Sequence, residues 1–177
     1  ERLCKASLID LYYADASRVC LEPCVPYGWQ FPDEDVFMPS AKGKGLNCFG
    51  LLTRTNKLMF STTTQNINST FVFEYLDRLS FMLEKPTVIV LDNASVHTAK
   101  IIQQQRNVWE ERGLTLFYLP PHSPQLNLIE ILWKMLKYYW LKPEDYAEEQ
   151  LLFYKTTQAL AAVGNTLNIN FSDLALV

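Results

Sequence analysis

Residues 87–91 read TVIVL, five residues with no polar alternation. Successive side chains of a strand point to opposite faces, so a run that does not alternate is apolar on both and belongs to a strand covered from both sides. Helices must then lie above and below a sheet, which selects an α/β arrangement. The run ends on Asp92, with Asn93 and His97 close behind in TVIVLDNASVHTAK. By itself an acid at that place reads either as a turn former bonding its own backbone or as a ligand aimed by a rigid strand.

The rest of the chain supplies the layers. LIDLYYAD (8–15) and RVCLEP (18–23) are aromatic and β-branched enough for two strands, turning at Ala16 and Ser17. VPYGWQFPDEDVFMPSAKGKG (25–45) holds three prolines and three glycines and reads as an irregular connection. LNCFGLLTRTNKLMFSTTT (46–64) is a second hairpin turning at Thr55 and Asn56. STFVFEYLDRLSFML (69–83) places Phe71, Tyr75, Leu76, Leu79 and Leu83 at helical spacing, with Ser69 or Thr70 as the cap. A second helix over 97–112 carries Ile101, Ile102, Val108 and Trp109 and stops at Gly113. LTLFYL (114–119) is a short strand and PPHSP breaks the chain. QLNLIEILWKMLKYYW (125–140) then repeats Ile129, Trp133, Leu136 and Trp140 on one stripe, and a last helix spans 148–163 before Gly164. Strands come first, then β-α-β-α.

A length of 177 residues with 49% hydrophobic content suits one domain, 1–177, with a substantial core. No stretch approaches the roughly 18 apolar residues of a membrane span, and none resembles a signal peptide, so the expectation is a soluble cytoplasmic protein with no membrane partner. The four cysteines (Cys4, Cys20, Cys24, Cys48) form no dense framework; Cys20 and Cys24, in CLEPC, read as buried thiols rather than half of a zinc site. A net charge of −3 argues against holding nucleic acid by bulk electrostatics, so a DNA substrate would need another segment to help grip it. The chain opens at Glu1 without an initiator Met, as an excised piece of a longer protein would.

Three acids fall in elements that are otherwise apolar: Asp15 in the opening strands, Asp92 at the end of TVIVL, and Glu130 beside the apolar stripe of its helix. Burying carboxylates near one another is tolerable when cations neutralise them, and hard oxygen ligands suit Mg²⁺ or Mn²⁺. In outline this is a phosphoryl-transfer site. Taken singly, Glu130 also reads as an exposed helix acid pairing with Lys134 at i+4.

LDNASVHTAK followed by LTLFYLPPHSPQLNLIEILWKMLK resembles the catalytic core of the mariner-like transposase superfamily, in particular bacterial insertion-sequence transposases with a DDE endonuclease domain. YADAS resembles that family's first-Asp segment, VPYGWQF its strand with a Trp, and GLNCFGLL its next strand with Phe-Gly, so the likeness runs from about residue 11 to 141. The 37 residues between Asp92 and Glu130 fall within the family's spacing. Ala16 departs from a frequent Glu, His122 from the usual Tyr, and Leu128 from the Pro before Ile-Glu.

The resemblance implies an RNase H-like (retroviral integrase) fold, a five-stranded mixed sheet flanked by helices, with metal-binding Asp15 on the central strand, Asp92 after the fourth and Glu130 on a helix nearby. Asp10 is the rival for the first position, but only Asp15 sits in the matching YADAS segment. The implied chemistry is DNA strand cleavage and strand transfer by two Mg²⁺ or Mn²⁺ ions, roughly 3.5 to 4 Å apart. Asp92 would share both ions, Asp15 one or both, and Glu130 the second. Asn93 and His97 would orient a water or the phosphate, His97 alternatively satisfying a backbone carbonyl, while Ser123 and Asn127 would shape the loop, Asn127 as a cap. Lys42, Lys44, Arg54, Lys134 and Lys137 are candidate phosphate contacts or solvated surface charge. The resemblance further implies transposon ends and target DNA as partners, a homodimer, a helix-turn-helix region upstream, and a bacterial host whose nucleoid the enzyme visits. The alternatives are an inactive or domesticated DNA-binding or assembly domain and another RNase H-like nuclease.

Overall fold

A computed structural model of the chain describes residues 1–22, 45–121 and 123–171. The elements in order are α1 (Arg2–Lys5), β1 (Asp10–Val19), β2 (Leu46–Leu52), β3 (Leu58–Thr63), α2 (Ser69–Ser80), β4 (Thr87–Leu91), α3 (Lys100–Glu111), β5 (Leu114–Tyr118), α4 (Ile129–Met135) and α5 (Glu149–Ala162). The five strands form one sheet in the order β3-β2-β1-β4-β5. β1 is antiparallel to β2 and β2 to β3, whereas β1, β4 and β5 run parallel.

The non-alternating run is β4, and it is flanked on both sides by parallel neighbours as its pattern requires. The sheet separates two apolar clusters. On one face Tyr12, Ala14, Phe49, Leu51, Ile89 and Leu91 pack against Val72 and Leu76 of α2 and Ile102 and Trp109 of α3. On the other, Tyr13, Leu52 and Val90 pack against Ile129, Leu132 and Trp133 of α4 and Leu152 and Leu160 of α5. Each fully buried side chain of this size contributes about 1.5–3 kcal/mol, so both helical layers are held by the sheet.

The opening differs from its expectation. β1 is a single ten-residue strand in which Ala16 pairs with Phe49 and Ser17 with Cys48, where the sequence reads as a hairpin turning at those two residues. A tight hairpin needs residues at positive φ, and neither Ala nor Ser supplies one cheaply; the long ladder with β2 wins. The turn in the second hairpin is where expected, with Asn56 at φ 63. α2 is capped by Asn68, whose side chain accepts from the Phe71 N–H at 2.9 Å, so Ser69 and Thr70 lie inside the helix instead.

α3 begins three residues later than the periodicity suggests, and the stretch before it forms a separate turn in which His97 and Thr98 N–H groups bond to the Ala94 carbonyl. α3 stops before Gly113, at φ +89. The helix expected over 125–140 is broken into a 3₁₀ turn (Pro124–Leu126), α4, and a π-helical turn (Leu136–Trp140) closed by Leu141 N–H to Leu136 C=O at 3.0 Å. Ile129, Trp133 and Leu136 are buried on one stripe, which makes Trp133 a core residue and not a base-stacking platform; Trp140 is half-buried against the same cluster. Cys4 and Cys20 are half-buried free thiols and Cys48 a fully buried one, so Cys20 is less enclosed than expected. Cys24, His122 and the connection proposed over 25–45, apart from Gly45, lie outside the described residues.

Candidate active site

The register of β1 and β4 aligns Tyr13 with Val90. Asp15, within β1, and Asp92, the first residue past the end of β4, each follow two residues later, so the two acids come level at the same sheet end. Side chains alternate along a strand, and both acids therefore share the face of Tyr13 and Val90, over which α4 packs. Glu130 lies in the first turn of α4.

Gly50 explains how α4 comes so close. It pairs with Asp15 across β1 and β2, and a Cβ there would stand 3.1 Å from Ile129 Cδ1 and 3.1 Å from Trp133 Cη2. The bare backbone of Gly50 is the floor on which α4 rests, beside Asp15. Sequence reasoning missed it as a site residue; the signals are its place in the Phe-Gly of GLNCFGLL and a Gly inside a strand, which marks a close approach without saying of what.

The electrostatics tie the acids together. Burial pushes the Asp15 carboxyl up to about 7, and the charges of Glu130 and Asp92 add to the push against the Ala16 N–H and His97. Burial likewise raises Glu130, with Asp92 contributing and Lys137 opposing. Asp92 goes the other way: a hydrogen bond from His97 holds it below the usual carboxylate range, aided by the Ala94 N–H and opposed by burial. Glu130 makes no ion pair with Lys134 among the described residues.

His97 is 1% exposed and its Nδ1 lies 2.6 Å from Asp92 Oδ1, so the ring serves the carboxylate and not a backbone carbonyl. Asn93 donates through Nδ2 to the Leu119 carbonyl. Asn127, buried, donates through Nδ2 to the Ala14 carbonyl at 3.1 Å. It makes no side-chain cap, and Leu128 takes the cap position instead. The two amides fasten the turn after β4 to the chain after β5, and the chain before α4 to β1. Tyr118, which the sequence did not single out, donates from its hydroxyl to the His97 carbonyl at 2.7 Å.

A cleft of about 430 Å³ opens between these segments, lined by Asp92, Asn93, Ser123, Asn127 and Glu130 with Pro120, Pro121 and Pro124. Lys134 and Lys137 follow Glu130 along the same helical stretch. Arg54 does not belong to this end of the sheet. It sits in the β2–β3 turn, where its guanidinium holds Glu1 at 2.8 Å and the Phe171 carbonyl at 3.1 Å. Asp10 starts β1, at the far end from Asp15, and pairs with Lys85 at 3.0 Å. Lys42 and Lys44 lie outside the described residues.

Among the described residues no three His, Cys, Asp or Glu side chains are gathered closely enough to cage an ion as they stand. The donor set nevertheless fits a hard divalent cation: three carboxylates, one of them raised by burial and then by the negative charge of the others, with Glu130 exposed.

A family model described as DDE superfamily endonuclease matches residues 10–152. The uncharacterized protein y4pE/y4sA of Sinorhizobium fredii (strain NBRC 101917 / NGR234) is 35% identical over 54 residues, 30% of this chain and 36% of that protein. The crystal structure of the Mos1 mariner paired end complex with Mn superposes with a TM-score of 0.63 at 13% identity, over 91% of this chain and 51% of that one. The Mos1 strand transfer complex gives 0.54 at 13%, over 93% and 56%. A simian T-cell lymphotropic virus intasome in complex with PP2A regulatory subunit B56 gamma gives 0.63 at 13%, over 94% and 52%. The fold is therefore the RNase H-like fold of transposases and integrases, and the chain spans about half the length of these solved chains.

Proposed function

Because the chain belongs to the DDE superfamily endonuclease family, we propose that Asp15, Asp92 and Glu130 form the site at which it cuts DNA strands at transposon ends and joins the freed ends to target DNA. The observation that carries this reading is the placement of three acids, from β1, the end of β4 and α4, toward one sheet end, with Asp15 raised to about 7 by burial and by the other two. A structural role for that arrangement is hard to find, since like charges placed together oppose folding.

The three carboxylates would hold Mg²⁺ or Mn²⁺, and two such ions, when bound, activate an attacking oxygen and steady a leaving one. Asp15 sits on a strand and Asp92 directly follows one, so both are aimed by the sheet, whereas Glu130 would reach in from an exposed helical turn and set how tightly the site closes. Lys134 and Lys137, on the same stretch as Glu130, would meet backbone phosphates on either side of the bond being cut. With a net charge of −3, these contacts position DNA more than they hold it, and a second DNA-gripping region would supply affinity. Solved relatives by fold are described as paired-end and strand-transfer complexes, which supports pairing of two copies on two ends.

The test is nicking of supercoiled plasmid and strand transfer of a labelled duplex end in Mn²⁺ or Mg²⁺, by wild type and by Asp15→Ala, Asp92→Ala and Glu130→Ala. Each substitution is expected to reduce both reactions to background. Cutting by Asp92→Ala at the wild-type rate, or preference for an RNA–DNA hybrid over duplex DNA, overturns the reading.

A further inference from the structure

The two oxygens of Asp92 are treated unequally. Oδ1 accepts from the Ala94 N–H at 3.0 Å and from His97 Nδ1 at 2.6 Å, while no hydrogen bond among the described residues reaches Oδ2. The Ala94 contact alone would make an ordinary Asx turn. The second bond, from a buried ring to the same oxygen, is not needed for a turn.

His97 is held from several sides. Its ring lies tilted against Phe49 of β2 with centroids 6.4 Å apart, its N–H bonds the Ala94 carbonyl at 2.9 Å, and its own carbonyl accepts from Tyr118 of β5. Nε2 is buried and has no partner among the described residues. A proton on Nε2 would leave an orphaned buried donor, whereas a proton on Nδ1 lies in the bond to Asp92. A proton placed on Nδ1 therefore satisfies the geometry at the lower cost.

Resting on the metal-binding reading of Asp92, we propose that His97 is a positioning residue: it locks the rotation of the Asp92 carboxylate, so that Oδ1 is used inside the protein and Oδ2 alone is presented to a divalent cation. Asp92 would thereby offer a cation one oxygen, the other being committed to Ala94 and His97. Outer partners of this kind fix the orientation of a ligand and typically change metal affinity about 10–100-fold when removed.

The experiment measures Mn²⁺ affinity of the protein by calorimetry for wild type, Asp92→Ala, His97→Ala and His97→Asn, with metal-free melting curves for each. His97→Ala is expected to weaken binding about 10–100-fold, and His97→Asn, whose amide can donate to the same oxygen, to recover most of it. Nitrogen NMR of the metal-free wild type, which needs no variant to fold, is expected to place the proton on Nδ1 and to keep it there as Mg²⁺ is added. Wild-type Mn²⁺ affinity in a folded His97→Ala, equal loss in both variants, or a proton on Nε2 overturns the positioning role while leaving the metal site standing. Wild-type protein whose Mn²⁺ binding is unaffected by Asp92→Ala overturns the metal reading, and this inference with it.

Discussion

Asp15 faces Gly50 across the β1–β2 ladder, and the side chain Gly50 lacks is replaced by Ile129 and Trp133 of α4. The position of Glu130 is therefore set by a residue with no chemistry of its own. Gly50→Val is expected to cost about 1–3 kcal/mol through overpacking and to lift α4, reducing metal-dependent nicking more than Gly50→Ala does. Denaturant melts and the plasmid assay check it; wild-type stability and cutting in Gly50→Val would refute the packing account.

Asp15 gives a pH dependence whose sign follows from its folded pKa of about 7 against an ordinary value of 3.8. The folded state then binds more protons than the unfolded one between those values, so this group makes metal-free protein less stable as pH rises through that window, levelling off above about 7. In EDTA, Asp15→Asn should remove this group's share of the slope, and its advantage over wild type should be larger at pH 8 than at pH 5 in urea melts. An advantage independent of pH would count against it.

Cys48 pairs with Ser17 inside the sheet, is fully buried, and burial pushes its thiol up to about 12. Among the described cysteines, Cys4 and Cys20 should alkylate in the native state at pH 8, whereas Cys48 should label only in denaturant. Mass spectrometry of the labelled peptides decides; native labelling of Cys48 at the rate of Cys20 would contradict the burial.

Gly164 adopts φ +80, and a Cβ there would stand 2.4 Å from the carbonyl oxygen of Asn56. Asn56, itself at φ 63, holds the backbone of Ile169 from both sides, at 2.7 Å and 3.0 Å. Gly164→Ala is expected to destabilise by at least about 1 kcal/mol without changing the Mn²⁺ affinity of the folded protein, because the β2–β3 turn lies at the opposite end of the sheet from the acids. Thermal melts alongside calorimetry separate the two effects.

What the sequence disclosed and what it concealed divides along physical lines. β4 was legible because a doubly covered strand has no polar alternation, and Asp92 because it ends that strand. The hairpin at Ala16 and Ser17 was misread because the deciding partner, β2, lies some thirty residues away and small residues look like turns when their ladder is unseen. Asn127 read as a cap, while its actual partner is the Ala14 carbonyl, 113 residues earlier. His97 stands only five residues from Asp92, so its nearness was visible, but not that it turns back to the carboxylate. Arg54 showed its charge and hid its engagement with Glu1.

The parallel pairing of β1 with β4 has a consequence for when this site exists at all. Asp15 and Asp92 are 77 residues apart (92 − 15), and strands running the same way meet only after the intervening chain has crossed over. During synthesis, β1, β2 and β3 can close as an antiparallel meander with one acid on it and nothing to cut with. Long-range contacts of this kind form late. A nascent, clipped or misfolded copy therefore carries the acids without the arrangement that sets them side by side, and the proposed site exists only once the crossover is complete.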